Sequence, residues 1–277
     1  MKRILLPLDF TETSENALVY ALEMAKVYHA KIVLLHTYEL PIVDSQLLPI
    51  NFTEVYESLE ATNSDNFAQA LEKMKVIAKA NNAETIPLDH IMMTGELLDC
   101  IKEVVHLQDI DFVVMGTTGS SDWLDSFIGT NADDVLAEVS VPVLMIAHDT
   151  KFHKIETIGF CTRYRQDEIQ ALKDVLRIAR KLEAKVKCLY VKTPDYAFIA
   201  EEIAYWESSF EGEEALEFFI KSSEDVAAAI EEFTESQAID LLAMVTHKQN
   251  FFTRLFTTST TQKMAQHSKT PILALRE

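Results

Sequence analysis

The chain reads as an α/β protein of two tandem domains, each a mainly parallel sheet with helices on both faces. Three observations predict this. Apolar runs of strand length alternate with segments of helical period through the first half. The second half repeats the first at constant offsets. Glycine, present only six times, is concentrated at one strand-to-helix junction, as Gly116, Gly119 and Gly129.

Residues 3–8 are β-branched and leucine-rich and fit a buried strand. Over residues 14–28, Ala17, Leu18, Ala21, Leu22 and Ala25 recur at helical spacing, and residues 31–37 are a second buried-type strand, completing one βαβ unit. Residues 41–51 lack periodicity and read as a connection. A long helical region at 54–80 leads to a third strand at 85–92, a helix at 96–106 and a fourth strand at 111–115. A helix at 132–139 and a fifth strand at 141–148, with Pro142 at its opening, close the first half. Alternation of this kind implies a parallel sheet, and such sheets bind ligands outside the carboxyl ends of their strands.

The repeat is direct. Ala17-Leu18 and Ala30-Lys31-Ile32-Val33-Leu34-Leu35 match Ala171-Leu172 and Ala184-Lys185-Val186-Lys187-Cys188-Leu189 at an offset of 154. Val141-Pro142-Val143-Leu144 matches Thr270-Pro271-Ile272-Leu273 at an offset of 129. The difference makes the first copy longer by 25 residues, and the extra length falls between about residues 39 and 85. Two copies of one domain are expected, at residues 1–148 and 153–277, joined near 149–154.

At 277 residues there is chain enough for a core in each domain. A formal net charge of −19 argues against nucleic acid or anionic lipid as partners, since both are polyanions. Cys100, Cys161 and Cys188 are scattered, without a C-x-x-C pair, and read as reduced thiols of a cytoplasmic protein. The eight histidines show no zinc-ligand spacing, and no apolar run approaches the ~20 residues of a membrane span.

The junction from Met115 to Asn131 carries the chemistry. Glycines let backbone N–H groups approach a phosphate, and the first turn of the following helix adds unpaired N–H groups and the positive end of its dipole. Thr130 sits where that helix begins and offers a hydroxyl for capping or for a phosphate oxygen, with Asp133 three residues on.

The opening Ile4-Leu5-Leu6-Pro7-Leu8-Asp9-Phe10-Thr11-Glu12, the strand end Leu35-His36-Thr37, the Gly-x2-Gly-x9-Gly-Thr loop and the closing Val141-Pro142-Val143-Leu144 together resemble the universal stress protein family, over the whole chain as a tandem of two such domains. The resemblance implies a five-stranded parallel α/β domain, Rossmann-like and adenine nucleotide alpha hydrolase-like, and for members with the full glycine motif, ATP. By position, Pro7, Leu8 and Asp9 would edge the adenine and ribose, with Thr37 at the end of the second strand. Gly116, Gly119, Gly129, Thr130 and Asn131 would cradle the phosphates, with Met115 and Thr117 beside them. As turn chemistry alone, Asp9 reads instead as a helix-start carboxylate.

Two departures bear on this. No Lys or Arg lies between Thr117 and Thr130, where relatives commonly carry one, and Asp122 and Asp125 are present instead. Binding would then lean on Mg²⁺ bridging the phosphates, or favour AMP or ADP. In the second copy Val245, Lys248 and Thr258 replace the glycines, Arg163 replaces Asp9 and Cys161 replaces Pro7, so this half reads as having lost the site, with Lys248 and Arg254 left for a small anion.

The expected function is that of an ATP-binding regulatory protein of the stress response. The alternatives are an interaction scaffold without nucleotide, or an enzyme, at most a slow ATPase, because no P-loop, H-x-G-H or S-G-G-x-D-S pattern supplies catalytic groups. No catalytic or metal-ligating residue is singled out. Each copy ends in an apolar strand opened by proline, and left open such edges would template aggregation. Pairing of the two edges in an intramolecular pseudo-dimer is therefore expected, with the long helix at 54–80 left for partners or a further homodimer.

Overall fold

The computed structural model describes residues 1–39, 52–117, 130–147, 150–194, 200–246 and 270–276. The chain divides into two compact units, Met1–Met115 and Gly116–Glu277.

The first unit holds β1 (Arg3–Pro7), β2 (Lys31–Tyr38), β3 (Leu88–Thr94) and, up to Met115, β4 (Phe112–Thr117), in the order β3-β2-β1-β4, every pair parallel. β1 is central, and its Leu5 faces Val33 on one side and Val113 on the other. Leu5, Leu6, Ile32, Leu34, Leu35 and Val113 are fully buried. Burial on both faces is why these strands are continuously apolar, each such side chain contributing about 1.5–3 kcal/mol. α1 (Glu12–Tyr28), α2 (Phe52–Ala80) and α3 (Leu97–Leu107) connect the strands.

β3 begins later than residue 85. The Ile86 N–H closes a turn on the Ala83 carbonyl at 3.0 Å, and the ladder opens with the Ile32 N–H on the Pro87 carbonyl at 3.0 Å. Pro87 has no N–H to donate, so it precedes the strand.

The second unit holds α4 (Thr130–Glu138), β5 (Val143–Ala147), β6 (Thr157–Thr162), α5 (Glu168–Leu182), β7 (Lys185–Lys192), α6 (Ala200–Ser209), β8 (Leu216–Ser222), α7 (Val226–Ser236), β9 (Leu241–Thr246) and β10 (Ile272–Arg276). Its strand order is β5-β10-β9-β6-β7-β8. β6 to β10 run parallel, whereas β5 is antiparallel to β10, with Met145 facing Ile272, Leu144 facing Leu273 and Val143 facing Ala274. Two buried apolar strands thus cover each other's edges. Pro142 and Pro271 fall just before their strands. Arg276 Nε donates to the Val139 carbonyl at 2.7 Å, tying the end of β10 to the residue after α4.

The repeat extends to backbone geometry. Phe10 and Tyr164, 154 apart, are both left-handed, with φ of 64° and 59°. His29 and Glu183, again 154 apart, are left-handed caps that end α1 and α5 on the Ala25 and Ala179 carbonyls. Asp109 and Ala238, 129 apart, are left-handed after α3 and α7. Asp111 Oδ2 accepts from Arg3 N, and Asp240 Oδ2 accepts from Thr157 N, both at 2.9 Å. None of these left-handed positions is glycine, and each costs about 1–2 kcal/mol, so the recurrence reflects one shared backbone rather than local preference.

The copies differ where the offset changes. α2 has 29 residues and α6 has 10. From Glu57 onward α2 buries only a narrow stripe, Phe67, Ala70, Met74 and Ala78. It is held to α1 by the Lys73–Glu15 ion pair and by Lys26 Nζ donating to the Asn81 carbonyl at 2.6 Å.

Candidate functional site

The carboxyl ends of β1 and β2 are joined by a short set of bonds. Pro7, the last residue of β1, is opposite Leu35, and the Leu8 N–H continues the ladder onto the Leu35 carbonyl at 2.8 Å. The Leu8 carbonyl accepts from Nδ1 of the buried His36 at 2.9 Å, which places the His36 proton on Nδ1. The chain then turns sharply. Asp9 is exposed, and its Oδ1 accepts from Thr11 N at 3.1 Å and Thr11 Oγ1 at 2.6 Å. Thr11 in turn caps α1 by accepting from Ser14 N at 3.3 Å. Asp9 therefore has the helix-start role that turn chemistry suggests. Its other oxygen accepts no bond among the described residues.

The strained Phe10 turns its ring onto His36, with centroids 4.3 Å apart, and Phe67 of α2 packs on both, at 6.3 Å from Phe10 and 5.6 Å from His36. His90 meets Phe67 edge to face, with centroids 5.8 Å apart. Nε2 of His36 is buried and has no partner among the described residues. Thr37, half-buried, follows His36 on β2. Sequence reasoning singled out none of Phe10, His36 and Phe67 as functional. The first two lie inside quoted motifs, but nothing in the sequence connects Phe67 with them.

β4 ends in Met115, Gly116 and Thr117. The Met115 side chain is buried in the core, leaving its backbone as the exposable part. Thr117 is buried, and its Oγ1 donates to the Ile146 carbonyl of β5 at 3.5 Å; Thr246 does the same to the Leu275 carbonyl at 3.1 Å. Since Thr246 sits in the copy without the glycines, this hydroxyl serves the sheet. Gly119 and Gly129 lie outside the described residues, as do Lys248, Arg254 and Thr258. Thr130 and Asn131 open α4, where first-turn N–H groups have no intrahelical partner.

The equivalent place in the second copy is built differently. Buried Glu168, where the first copy has Ser14, puts Oε2 within 2.7 Å of Thr162 Oγ1, 2.9 Å of Arg163 N and 3.3 Å of Arg165 N. An internal carboxylate thus takes the amides of the β6–α5 turn. Beside it Tyr164 meets Tyr190 and Trp206, each at 5.3 Å, and Tyr164 and Trp206 are fully enclosed. Burial first, and then the Glu168 carboxylate, push the Cys161 thiol up to about 12. The Cys188 thiol is raised by burial first, then by Cys161 and Glu168. Both are poor nucleophiles for that reason.

Mainly parallel sheets whose strands are connected by helices, in two copies, define a tandem α/β protein of Rossmann-like architecture. A family model for the universal stress protein family matches residues 1–147 and again 154–276, and the chain belongs to that family. A universal stress protein of Methanocaldococcus jannaschii is 25% identical over 151 residues, spanning 54% of this chain and 84% of the relative. Among solved structures, a universal stress protein of Archaeoglobus fulgidus covers 99% of this chain and 96% of its own at a TM-score of 0.75 and 17% identity. A functionally unknown protein of Pseudomonas aeruginosa PAO1 covers 100% and 92% at a TM-score of 0.63 and 14% identity. At such identities the structural likeness is one of fold.

Proposed function

We propose that this chain is a regulatory protein of the stress response that holds one adenine nucleotide, ATP or a less phosphorylated form, in its first domain, residues 1–148. Pro7, Leu8, Asp9 and Thr37 edge the nucleoside. Gly116, Gly119, Gly129, Thr130 and Asn131 take the phosphates, and Met115 and Thr117 contribute through their backbone. The carrying observation is the asymmetry of the copies. The first leaves Asp9 exposed with one carboxylate oxygen free of bonds among the described residues, an acceptor suited to ribose hydroxyls. The second has arginine there and occupies the amides of the adjoining turn with the Glu168 carboxylate, where the first copy has Ser14. The second domain, residues 153–277, is the structural half, and the antiparallel β5–β10 pair supports the reading of the chain as an intramolecular pseudo-dimer.

The phosphate groups fit backbone amides rather than cations, since residues 117–130 hold no Lys or Arg. A Mg²⁺ ion bound with the nucleotide would supply the missing positive charge. The same lack of a cation leaves charge developing in a transition state unstabilised, so any hydrolysis is slow.

Calorimetry tests the reading. One site per chain is expected, and Gly129→Val should weaken ATP by at least about tenfold, or ~1.4 kcal/mol. Two sites per chain, or unchanged affinity in this variant, would refute it.

A further inference from the structure

Away from these junctions, α5 presents Lys173, Arg177 and Arg180 along one line at i, i+4 and i+7, all exposed. They border a hollow of about 390 Å³ that includes the buried Leu176 and Phe210 and is closed opposite by the turn after α6, with Glu211 and Glu213. That volume lies within the ~300–1,000 Å³ of small-molecule sites. In a chain of formal charge −19, three cations around one partly apolar hollow run against the prevailing surface.

The first copy separates what the scaffold needs from what was added. At the offset of 154 its residues are Val19, Glu23 and Lys26. Lys26 holds the turn after α2 through the Asn81 carbonyl, and Arg180 pairs with Glu213 in the turn after α6, so Arg180 has an inherited structural role. Lys173 and Arg177 have no cationic forerunner. The long α2 packs against α1 in the first copy, whereas here the 10-residue α6 brings only its last residue, Ser209, to the hollow among the described residues. Arg177 pairs with Asp174 on its own helix, both partners solvent-accessible, and pairs of that kind contribute little and yield to a dianion. Lys173 makes no hydrogen bond or ion pair among the described residues. Glu211 and Glu213 across the hollow repel an extended polyanion and confine a negative group to the α5 side.

We propose that this hollow binds a small phosphorylated molecule, its phosphate held by Lys173 and Arg177 and its uncharged body lying over Leu176 and Phe210. A guanidinium fork matches phosphate oxygens in pairs, and an ammonium beside it adds charge without directional demand. The site is independent of the nucleotide reading.

The test titrates the full chain with phenyl phosphate by calorimetry. Saturable binding is expected, tighter than that of inorganic phosphate because the ring adds apolar contact. Lys173→Glu with Arg177→Glu should weaken it at least about tenfold, a loss of ~1.4 kcal/mol. Both side chains are exposed, so the variant should keep its thermal midpoint. Lys151→Glu, outside the hollow, and Gly129→Val should leave binding intact even if ATP is lost. The proposal fails if no saturable binding tighter than about 1 mM is found. It fails equally if the charge-reversed variant binds as the parent does, if Lys151→Glu weakens binding as much, or if Gly129→Val abolishes it, which would place the probe in the first domain.

Discussion

Glu168 shows how one substitution changes the chemistry of a shared turn. Ser14, its counterpart, donates its hydroxyl to the Thr11 carbonyl at 2.9 Å and leaves the amides after β1 to other partners. Glu168 gathers Thr162 and the amides of Arg163 and Arg165 onto one oxygen. Removing a buried charged acceptor strands its donors, so Glu168→Ala should lower the unfolding free energy by about 2–4 kcal/mol and Glu168→Gln by less. An unchanged urea midpoint in the alanine variant would show that the turn does not depend on this carboxylate. Cys161 adds a pH dependence. Its thiol titrates near 12 when folded, against about 8.5 unfolded. Between these values the unfolded state has lost its proton and the folded state has kept it. The thiol's contribution is therefore whole below pH ~8.5 and falls away as pH rises toward 12. Denaturation followed from pH 8 upward should show a shallower decline in Cys161→Ala than in the parent.

Among the elements, α2 and α6 account for most of the difference between the copies. α2 reaches the strand ends through Phe67, the first side chain of its buried stripe, and α6 reaches the equivalent place through Trp206. Each ring closes an aromatic cluster over a left-handed residue, Phe10 or Tyr164. Truncating such a ring leaves a cavity the neighbours fill only in part, so Phe67→Ala and Trp206→Ala should each cost about 3–5 kcal/mol. The two should differ in ligand response. Added ATP should recover part of the thermal midpoint lost in Trp206→Ala, because its proposed site is in the other copy. A Trp206→Ala protein that ATP does not stabilise would contradict the one-site reading.

For the whole molecule, the antiparallel β5–β10 pair is the telling feature, since every other strand pairing described above is parallel. Its register defines a cross-linking test. Cysteines at Val143 and Ala274, or at Met145 and Ile272, are directly opposed, whereas Val143 and Ile272 are two positions out of step. Oxidation should link an opposed pair and leave the offset pair largely free. Linking of the offset pair alone would mean a different register in solution.

The fold class was legible because two periodicities are local properties of the chain: apolar runs mark strands buried on both faces, and 3.6-residue spacing marks the helices that cover them. The repeat was legible for the same reason, and the family with it, since Leu8-Asp9, Leu35-His36-Thr37 and the spaced glycines each lie within one short segment. Strand ends were less so, because Pro87 and Pro142 shift them through hydrogen bonds that only the partner strands reveal. What the tertiary structure alone decided is the company each residue keeps. Asp9 holds Thr11, and Thr117 serves β5 as Thr246 serves β10. Phe67 meets Phe10 across more than fifty residues, and Glu168 takes the amides that the first copy leaves otherwise bonded. Such contacts depend on how helices lie across a sheet, which is settled by burial of the whole chain rather than by any segment of it.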